Sequence, residues 1–175
     1  MEKTVLSTES NWITRAETDA DIPAIRKINL AAFETAEEAD LVDALRTDPA
    51  WIADLSIISA RPDGTPTGYA LLTRCHVDDT AALCLGPCAV LPEYQKTGAG
   101  SAAIRAALAA AEQAGEHFVI VLGHPTYYPR FGFTRASQYG IRLSIDVPDE
   151  ALMALGFDSE QLPSGTVRYA APFGI

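Results

Sequence analysis

The segment Gln95-Lys96-Thr97-Gly98-Ala99-Gly100-Ser101 carries the strongest chemical signal in this sequence. It follows an apolar run and leads into an alanine-rich stretch of helical spacing, so the glycines stand where a strand turns into a helix. The first turn of a helix has backbone N–H groups without internal partners, and the aligned peptide dipoles favour an anion there. Gly98 and Gly100, with small Ala99 between them, let a phosphate approach the backbone. From Tyr94 to Ala111 the chain has Lys96 and Arg105 but no acidic residue, as a bound pyrophosphate requires. No Gly-Lys-Ser/Thr follows, which excludes a Walker A loop. The position in mid-chain and the absence of a full glycine fingerprint argue against a dinucleotide site.

Other reactive types are sparser. Tyr127 and Tyr128 lie in an aromatic turn, where a phenol can serve as a proton donor or simply pack. Cys75, Cys84 and Cys88 are too few and too oddly spaced for a disulfide framework. Cys84 and Cys88 sit in an apolar run and read as small buried hydrophobes. No CxxC or His/Cys cluster is present, so no metal is expected.

These groups need elements to position them. Trp12–Ala16 reads as a strand, and Thr18-Asp19-Ala20-Asp21 supplies caps for a helix with Ile22, Ile25, Ile28 and Ala32 at helical spacing. A second helix pattern covers Glu38–Arg46, after an exposed acidic link Phe33–Glu37. Strands are expected at Ile57–Ala60 and Gly68–Cys75, joined by the turn-forming Arg61–Pro66. The apolar run Ala82–Leu91 fits a central strand covered on both faces. Pro87 lacks a ladder donor, so Gly86-Pro87 marks a bulge or splay within it. A long helix starts near Gly98, with Ile104, Leu108 and Ala111 on one face, and ends at Gly115. Phe118–Leu122 is a buried strand broken by Gly123-His124-Pro125, and Tyr127–Phe131 a short turn or helix. The tail suggests strands near Ile141–Ile145 and Val167–Ala170 around a short helix at Pro148–Leu155. The pattern is a mixed α/β domain over 12–175 with a βαβ crossover in its middle, after a disordered lead-in at 1–11.

Composition narrows the function classes. The 175 residues are 48% hydrophobic and 21% charged, an ordinary globular balance. No run approaches the ~20 apolar residues of a membrane helix, and Met1–Trp12 lacks a signal-peptide pattern. A net charge of −10 argues against nucleic acid and favours cationic partners. Few cysteines and no leader point to the cytoplasm.

The motif Gln95-Lys96-Thr97-Gly98-Ala99-Gly100, preceded by Val90-Leu91-Pro92-Glu93-Tyr94, resembles the signature of the GNAT superfamily of N-acetyltransferases. The turn Tyr127-Tyr128-Pro129-Arg130-Phe131-Gly132-Phe133 resembles that family's second element, one helix and one strand later. With Leu85-Gly86-Pro87 before the first motif and Gly123-His124-Pro125 before the second, the chain is most similar to a bacterial branch of predicted acetyltransferases. The resemblance implies an acyl-CoA N-acyltransferase fold: a central mixed, mostly antiparallel sheet with splayed central strands, flanked by helices.

It also implies acetyl-CoA as co-substrate and a primary amine as acceptor, small or on a protein and cationic. Amides from Gln95 to Ser101 would hold the pyrophosphate, and the backbone of Ala89 and Val90 the pantetheine arm. The Val90 amide would serve the oxyanion and Tyr128 would be the general acid, five residues before Phe133, with Tyr127 the alternative. Relatives often place a basic carboxylate on the central strand, but Leu83-Cys84-Leu85-Gly86 has none. Glu34, Glu37, Glu38, His76, Asp78, His124 or a water are the candidates for the base. A non-catalytic acyl-CoA sensor, or transfer of another acyl group, is the rival reading. The tail from Ser144 is the candidate for completing the acceptor site or a homodimer contact.

Overall fold

A computed structural model describes residues 12–158 and 161–175, so the expected lead-in at 1–11 lies outside the described residues. In chain order come β1 (Ile13–Ala16), α1 (Ile22–Ala32), α2 (Glu37–Arg46), β2 (Ser56–Ala60), β3 (Pro66–Val77) and β4 (Thr80–Val90). Then follow α3 (Ala99–Gln113), β5 (Phe118–Leu122), β6 (Thr134–Arg135), β7 (Ile141–Arg142), β8 (Leu152–Gly156) and β9 (Gly165–Arg168). Hydrogen-bonded neighbours run β1-β2-β3-β4-β5-β8-β6, with β9 pairing β3 and β7. The β4–β5 and β7–β9 pairs are parallel, and β1–β2, β2–β3, β3–β9, β5–β8 and β6–β8 are antiparallel. This is a mixed, mostly antiparallel sheet with helices, as the sequence led us to expect.

The chain divides into two compact units, and α2, α3, β3 and β4 each contribute residues to both. The first comprises 12–43, Ala53–Leu71 and Pro87–Ala109. Here Thr18 and Asp21 form a capping box, but on the 3-10 turn Asp19–Asp21 that leads into α1 rather than on α1 itself. Ile25 and Ile28 are each 1% exposed, and their burial contributes roughly 1.5–3 kcal/mol apiece. Tyr69, fully buried on β3, shares a hydrogen bond with Ser56 Oγ at 2.7 Å, so the phenol does not leave an unpaired polar group in the core.

The second unit comprises Ala44–Ile52, Leu72–Gly86 and Ala110–Ile175. Its core gathers Cys75, Val77, Cys84, Phe118, Ile120, Leu152 and Val167, with Tyr169 and Phe173 packed against it. The parallel β4–β5 register covers Leu83↔Val119 to Leu85↔Val121 and stops before Gly86. Gly86 takes φ 147° there, a value that favours glycine. The expected splay at Gly86-Pro87 is thus visible as the end of a ladder.

One expected element is wrong. Residues 148–155 are not a helix: a single 3-10 turn, Asp149–Ala151, precedes strand β8. Leu152, Met153, Ala154 and Leu155 are good helix formers, but they pair antiparallel with β5, Met153 opposite Val121. Pairing to a buried strand outweighs a helix propensity worth only tenths of a kcal/mol per residue, an estimate of about 0.7 at most. The tail strands are also shorter or shifted: β7 ends at Arg142, and β9 is Gly165–Arg168.

Candidate functional site

The cofactor residues read from sequence, Ala89 to Ser101, all lie in the first unit. β4 ends at Val90, and the Leu91 N–H donates to Thr67 O at 2.9 Å. One 3-10 turn, Pro92–Tyr94, follows. Lys96 then takes φ 62° and Gly98 φ 91°. A left-handed lysine is uncommon and destabilising by about 1 kcal/mol, and such residues gather at ligand loops. α3 begins at Ala99 with no acid in its first turn, whereas the first turn of α2 holds Glu37, Glu38 and Asp40.

The loop is braced from three directions. The Thr97 hydroxyl donates to Tyr94 O within the turn. Trp12 Nε1 donates to Thr97 O at 3.2 Å, and its ring meets Tyr94 edge-on at 5.9 Å. Arg61 donates to the Tyr94 hydroxyl at 3.2 Å and lies over the same ring. Beneath the helix start, Ser59 Oγ donates to Ala99 O at 2.8 Å. Gly68 is needed there, because a Cβ on it would lie 2.5 Å from Ser59 Oγ and 3.1 Å from Ala99 O. Trp12, Arg61, Ser59 and Gly68 escaped the sequence reading. They lie far from the motif in sequence, and no local pattern marks them. Gln95 and Lys96 are exposed, while Thr97, Gly98, Gly100 and Ser101 are half-buried.

Tyr128 lies in the second unit. It opens a 3-10 turn, Tyr128–Phe131, closed by Gly132 at φ 100°. Its ring is held edge-on by Tyr127 at 5.1 Å and by Phe133 at 6.1 Å. A Cβ on Gly123 would come within 2.4 Å of that ring, so only glycine lets the ring lie against the end of β5. Tyr127 is held otherwise: Arg130 stacks on it at 4.3 Å and donates to its carbonyl.

The base candidates divide by environment. Glu34, Glu37 and His124 are exposed. Glu38 is half-buried, and its Oε2 is buried without a hydrogen-bond partner. Asp78 is engaged structurally, accepting from Thr166 N at 2.9 Å, while its carbonyl accepts from Arg168. His76 lines a cleft of about 310 Å³ with Asp48, Arg74, Arg168 and Tyr169. Arg74 there is paired with Glu116, whose carboxyl it holds below its usual range. Burial pushes the Tyr169 phenol up. Cys75 and Cys84 are buried, and the hydrogen bond to Cys84, with burial, raises the Cys75 thiol. Cys88 is half-buried rather than buried. Among the described residues, no group of three His, Cys, Asp or Glu side chains is arranged to hold a metal, and no helix is long and apolar enough to cross a membrane.

A parallel β4–β5 pair joined through α3, inside a mostly antiparallel sheet, places the chain in a class of mixed α/β folds. The chain belongs to the acetyltransferase (GNAT) family, whose sequence profile matches residues 22–133. Among curated relatives, the uncharacterised N-acetyltransferase YjhQ of Escherichia coli K12 is 38% identical over 136 residues, 75% of each chain. The uncharacterised N-acetyltransferase YhbS of the same strain is 29% identical over 165 residues, 92% of this chain and 98% of the relative. Among solved structures, that of YhbS from Escherichia coli in complex with CoA superimposes with a TM-score of 0.88 at 25% identity. It covers 94% of this chain and 93% of its own. A GNAT family acetyltransferase from Brucella melitensis in complex with acetyl-CoA gives 0.77 at 29% identity, covering 93% and 97%.

Proposed function

We propose that this protein transfers the acetyl group of acetyl-CoA to a primary amine by direct attack within a ternary complex. The observation that carries the reading is the left-handed loop at Lys96 and Gly98, opening a helix with no acid in its first turn in a member of this family. The two similar structures, with CoA and with acetyl-CoA, support the choice of co-substrate. Amides of Gln95, Lys96, Thr97, Gly98, Ala99, Gly100 and Ser101 receive the pyrophosphate, and the backbone of Ala89 and Val90 pairs with the pantetheine arm.

The chemistry follows from charge. An alkylamine is an ammonium near neutrality, with a pKa of about 10.4, so it must lose a proton before attack. Its lone pair then adds to the thioester carbonyl carbon, and the negative oxygen takes a hydrogen bond from the Val90 amide. As the C–S bond breaks, the Tyr128 hydroxyl gives its proton to the sulfur, and the phenolate recovers it from solvent. The proton from the amine goes to a side chain or a water. The net charge of −10 attracts cationic acceptors. Cys75, Cys84 and Cys88 form no disulfide, and two of them are buried, which suits a cytoplasmic setting.

Leu83-Cys84-Leu85-Gly86, without a carboxylate, favours a second reading, a non-catalytic acyl-CoA sensor. Thermal unfolding with and without acetyl-CoA tests what the two share. At 100 times the dissociation constant the ligand stabilises by about 2.7 kcal/mol, a rise of roughly 5–10 °C. A Gly98→Glu variant should lose the rise, since it puts a carboxylate at φ 91° beside the phosphates. No shift at millimolar acetyl-CoA would refute both readings, and thiol release with amines separates them.

A further inference from the structure

The cleft of about 310 Å³ beside His76 lies wholly within the second unit. Its volume falls at the low end of the ~300–1,000 Å³ of small-molecule sites. Arg74 and His76, alternate residues of β3, both line it, so their side chains share one face of the strand. His76 stands directly opposite Arg168 in the antiparallel β3–β9 register, which sets those two side chains next to each other on that face. The turn after α2 supplies the remaining polar group. The Arg74 N–H donates to Ala50 O at 2.9 Å, and the Ala50 N–H donates to Asp48 Oδ1 at 2.9 Å. The turn is thus pinned to the strand with its acid at the cleft.

These groups differ in how far they are already engaged. Arg74 is neutralised, because both terminal nitrogens hold Glu116, at 2.6 and 2.8 Å. Arg168 gives Nε and Nη2 to Asp78 O, at 3.2 and 2.6 Å. That fixes the guanidinium and leaves Nη1 without a partner among the described residues. A carbonyl does not cancel the charge, and Asp79, at 3.6 Å, is fully exposed and screened. His76 is half-buried and has no hydrogen bond or ion pair among the described residues, and Asp48 Oδ2 has none either. The Tyr169 ring, tilted on Phe173 at 5.1 Å, adds an apolar surface to the lining. In a chain of net charge −10, the cleft therefore presents a fixed guanidinium and an imidazole together, with a single carboxylate oxygen apart from them.

N–H donors beside a fixed positive charge match a carboxylate. An anion of higher charge, such as phosphate, would set its surplus against Asp48. A carboxylate oxygen only accepts, so Asp48 Oδ2 asks for an O–H or N–H on the ligand. The geometry points to a ligand site of its own here, one that binds a small α-hydroxy or α-amino carboxylate. The ligand carboxylate lies on Arg168 Nη1 and His76, the α-substituent donates to Asp48 Oδ2, and the apolar remainder lies along Tyr169. No group of the cofactor loop takes part, and the site stands whether or not the chain transfers acetyl groups.

The test is titration of the full, ¹⁵N-labelled chain by two-dimensional NMR with L-lactate, L-alanine, propionate and ethylamine. Lactate and alanine should shift the amides of Asp48, His76 and Arg168 saturably, with dissociation constants of about 1 mM or below. Propionate, which lacks the α-donor, should bind at least about fivefold more weakly, and ethylamine, which lacks the carboxylate, should not saturate. Arg168→Gln should weaken lactate at least about tenfold. His76→Leu, which leaves Arg168 on Asp78 O, should weaken it about threefold or more. Asp48→Asn keeps the acceptor for the Ala50 N–H but turns Oδ2 into a donor, so lactate and alanine should fall to the affinity of propionate. Binding of only one of the two would narrow the ligand to a hydroxy acid or an amino acid, and either supports the site. No saturation by either at about 20 mM, twenty times the expected constant, would overturn the assignment. So would shifts centred on other residues, propionate binding as tightly as both, or a folded Arg168→Gln variant with wild-type affinity. Should that variant fail to fold, His76→Leu decides in its place.

Discussion

Gly68→Ala probes the support beneath the cofactor loop, with a cost that follows from three distances. A Cβ at this position would lie 2.5 Å from Ser59 Oγ, 3.1 Å from Ala99 O and 3.3 Å from the Ala99 carbonyl carbon. The serine can rotate away, but it then gives up its 2.8 Å bond to Ala99 O, a loss of about 1 kcal/mol. Ala99 begins α3 and is backbone in a packed helix, so yielding a few tenths of an ångström adds about another 1 kcal/mol. The sum is about 2 kcal/mol, or a fall of roughly 4–8 °C in melting temperature. Ser59→Ala alone should lose about 1 kcal/mol, and the double variant no more than Gly68→Ala, because no hydroxyl is left to displace. A urea-denaturation cycle should therefore return a coupling of about 1 kcal/mol between the two sites. Acetyl-CoA affinity should fall with Gly68→Ala if, as proposed, the amides of the displaced helix start receive the pyrophosphate. Additive effects, or a Gly68→Ala variant as stable as wild type, would refute the argument that the glycine is present for close approach.

Trp12→Phe keeps an aromatic ring beside Tyr94 but removes the N–H that holds Thr97 O. Losing about 1 kcal/mol of loop order should weaken acetyl-CoA about fivefold by calorimetry, and an unchanged dissociation constant would show that the bond does not set the loop. Tyr128→Phe should lower amine-dependent thiol release by about 10²–10⁴-fold while leaving the acetyl-CoA thermal shift intact; near-normal release would move the acid elsewhere, with Tyr127 next. The Arg15 guanidinium, helped by the Thr18 N–H and hydroxyl, holds the Asp21 carboxyl well below its usual range. A depressed folded value means that the stabilisation is complete above the unfolded pKa of about 3.9 and is lost as pH falls toward the folded one. Asp21→Asn should thus unfold more easily by about 1.5 kcal/mol at pH 6, with the gap to wild type closing below about pH 4. A gap constant from pH 6 to pH 2 would deny the ion pair its role.

Local chemistry was enough for much of this chain. The spacing of Ile104, Leu108 and Ala111 fixed the buried face of α3, and all three are buried as expected. Gly98 and Gly100 marked the strand-to-helix turn, and Gly86-Pro87 the end of a ladder, because glycine and proline act on the backbone where they stand. The GNAT family was legible in the same residues, through two motifs one helix and one strand apart. Tertiary structure decided what local pattern leaves undetermined. Residues 152–155 became a strand because β5 offers a buried partner, a long-range fact stronger than their helix preference. Trp12 became a brace for Thr97, 85 residues away, because β1 brings it there. Gly68 mattered only once Ser59 and Ala99 had been packed around it. Asn29 and Glu38 were a polar residue in a helix and an acid in a surface link until packing buried their oxygens without donors. Periodicity says which way a side chain faces, but only the packed chain says what it meets there.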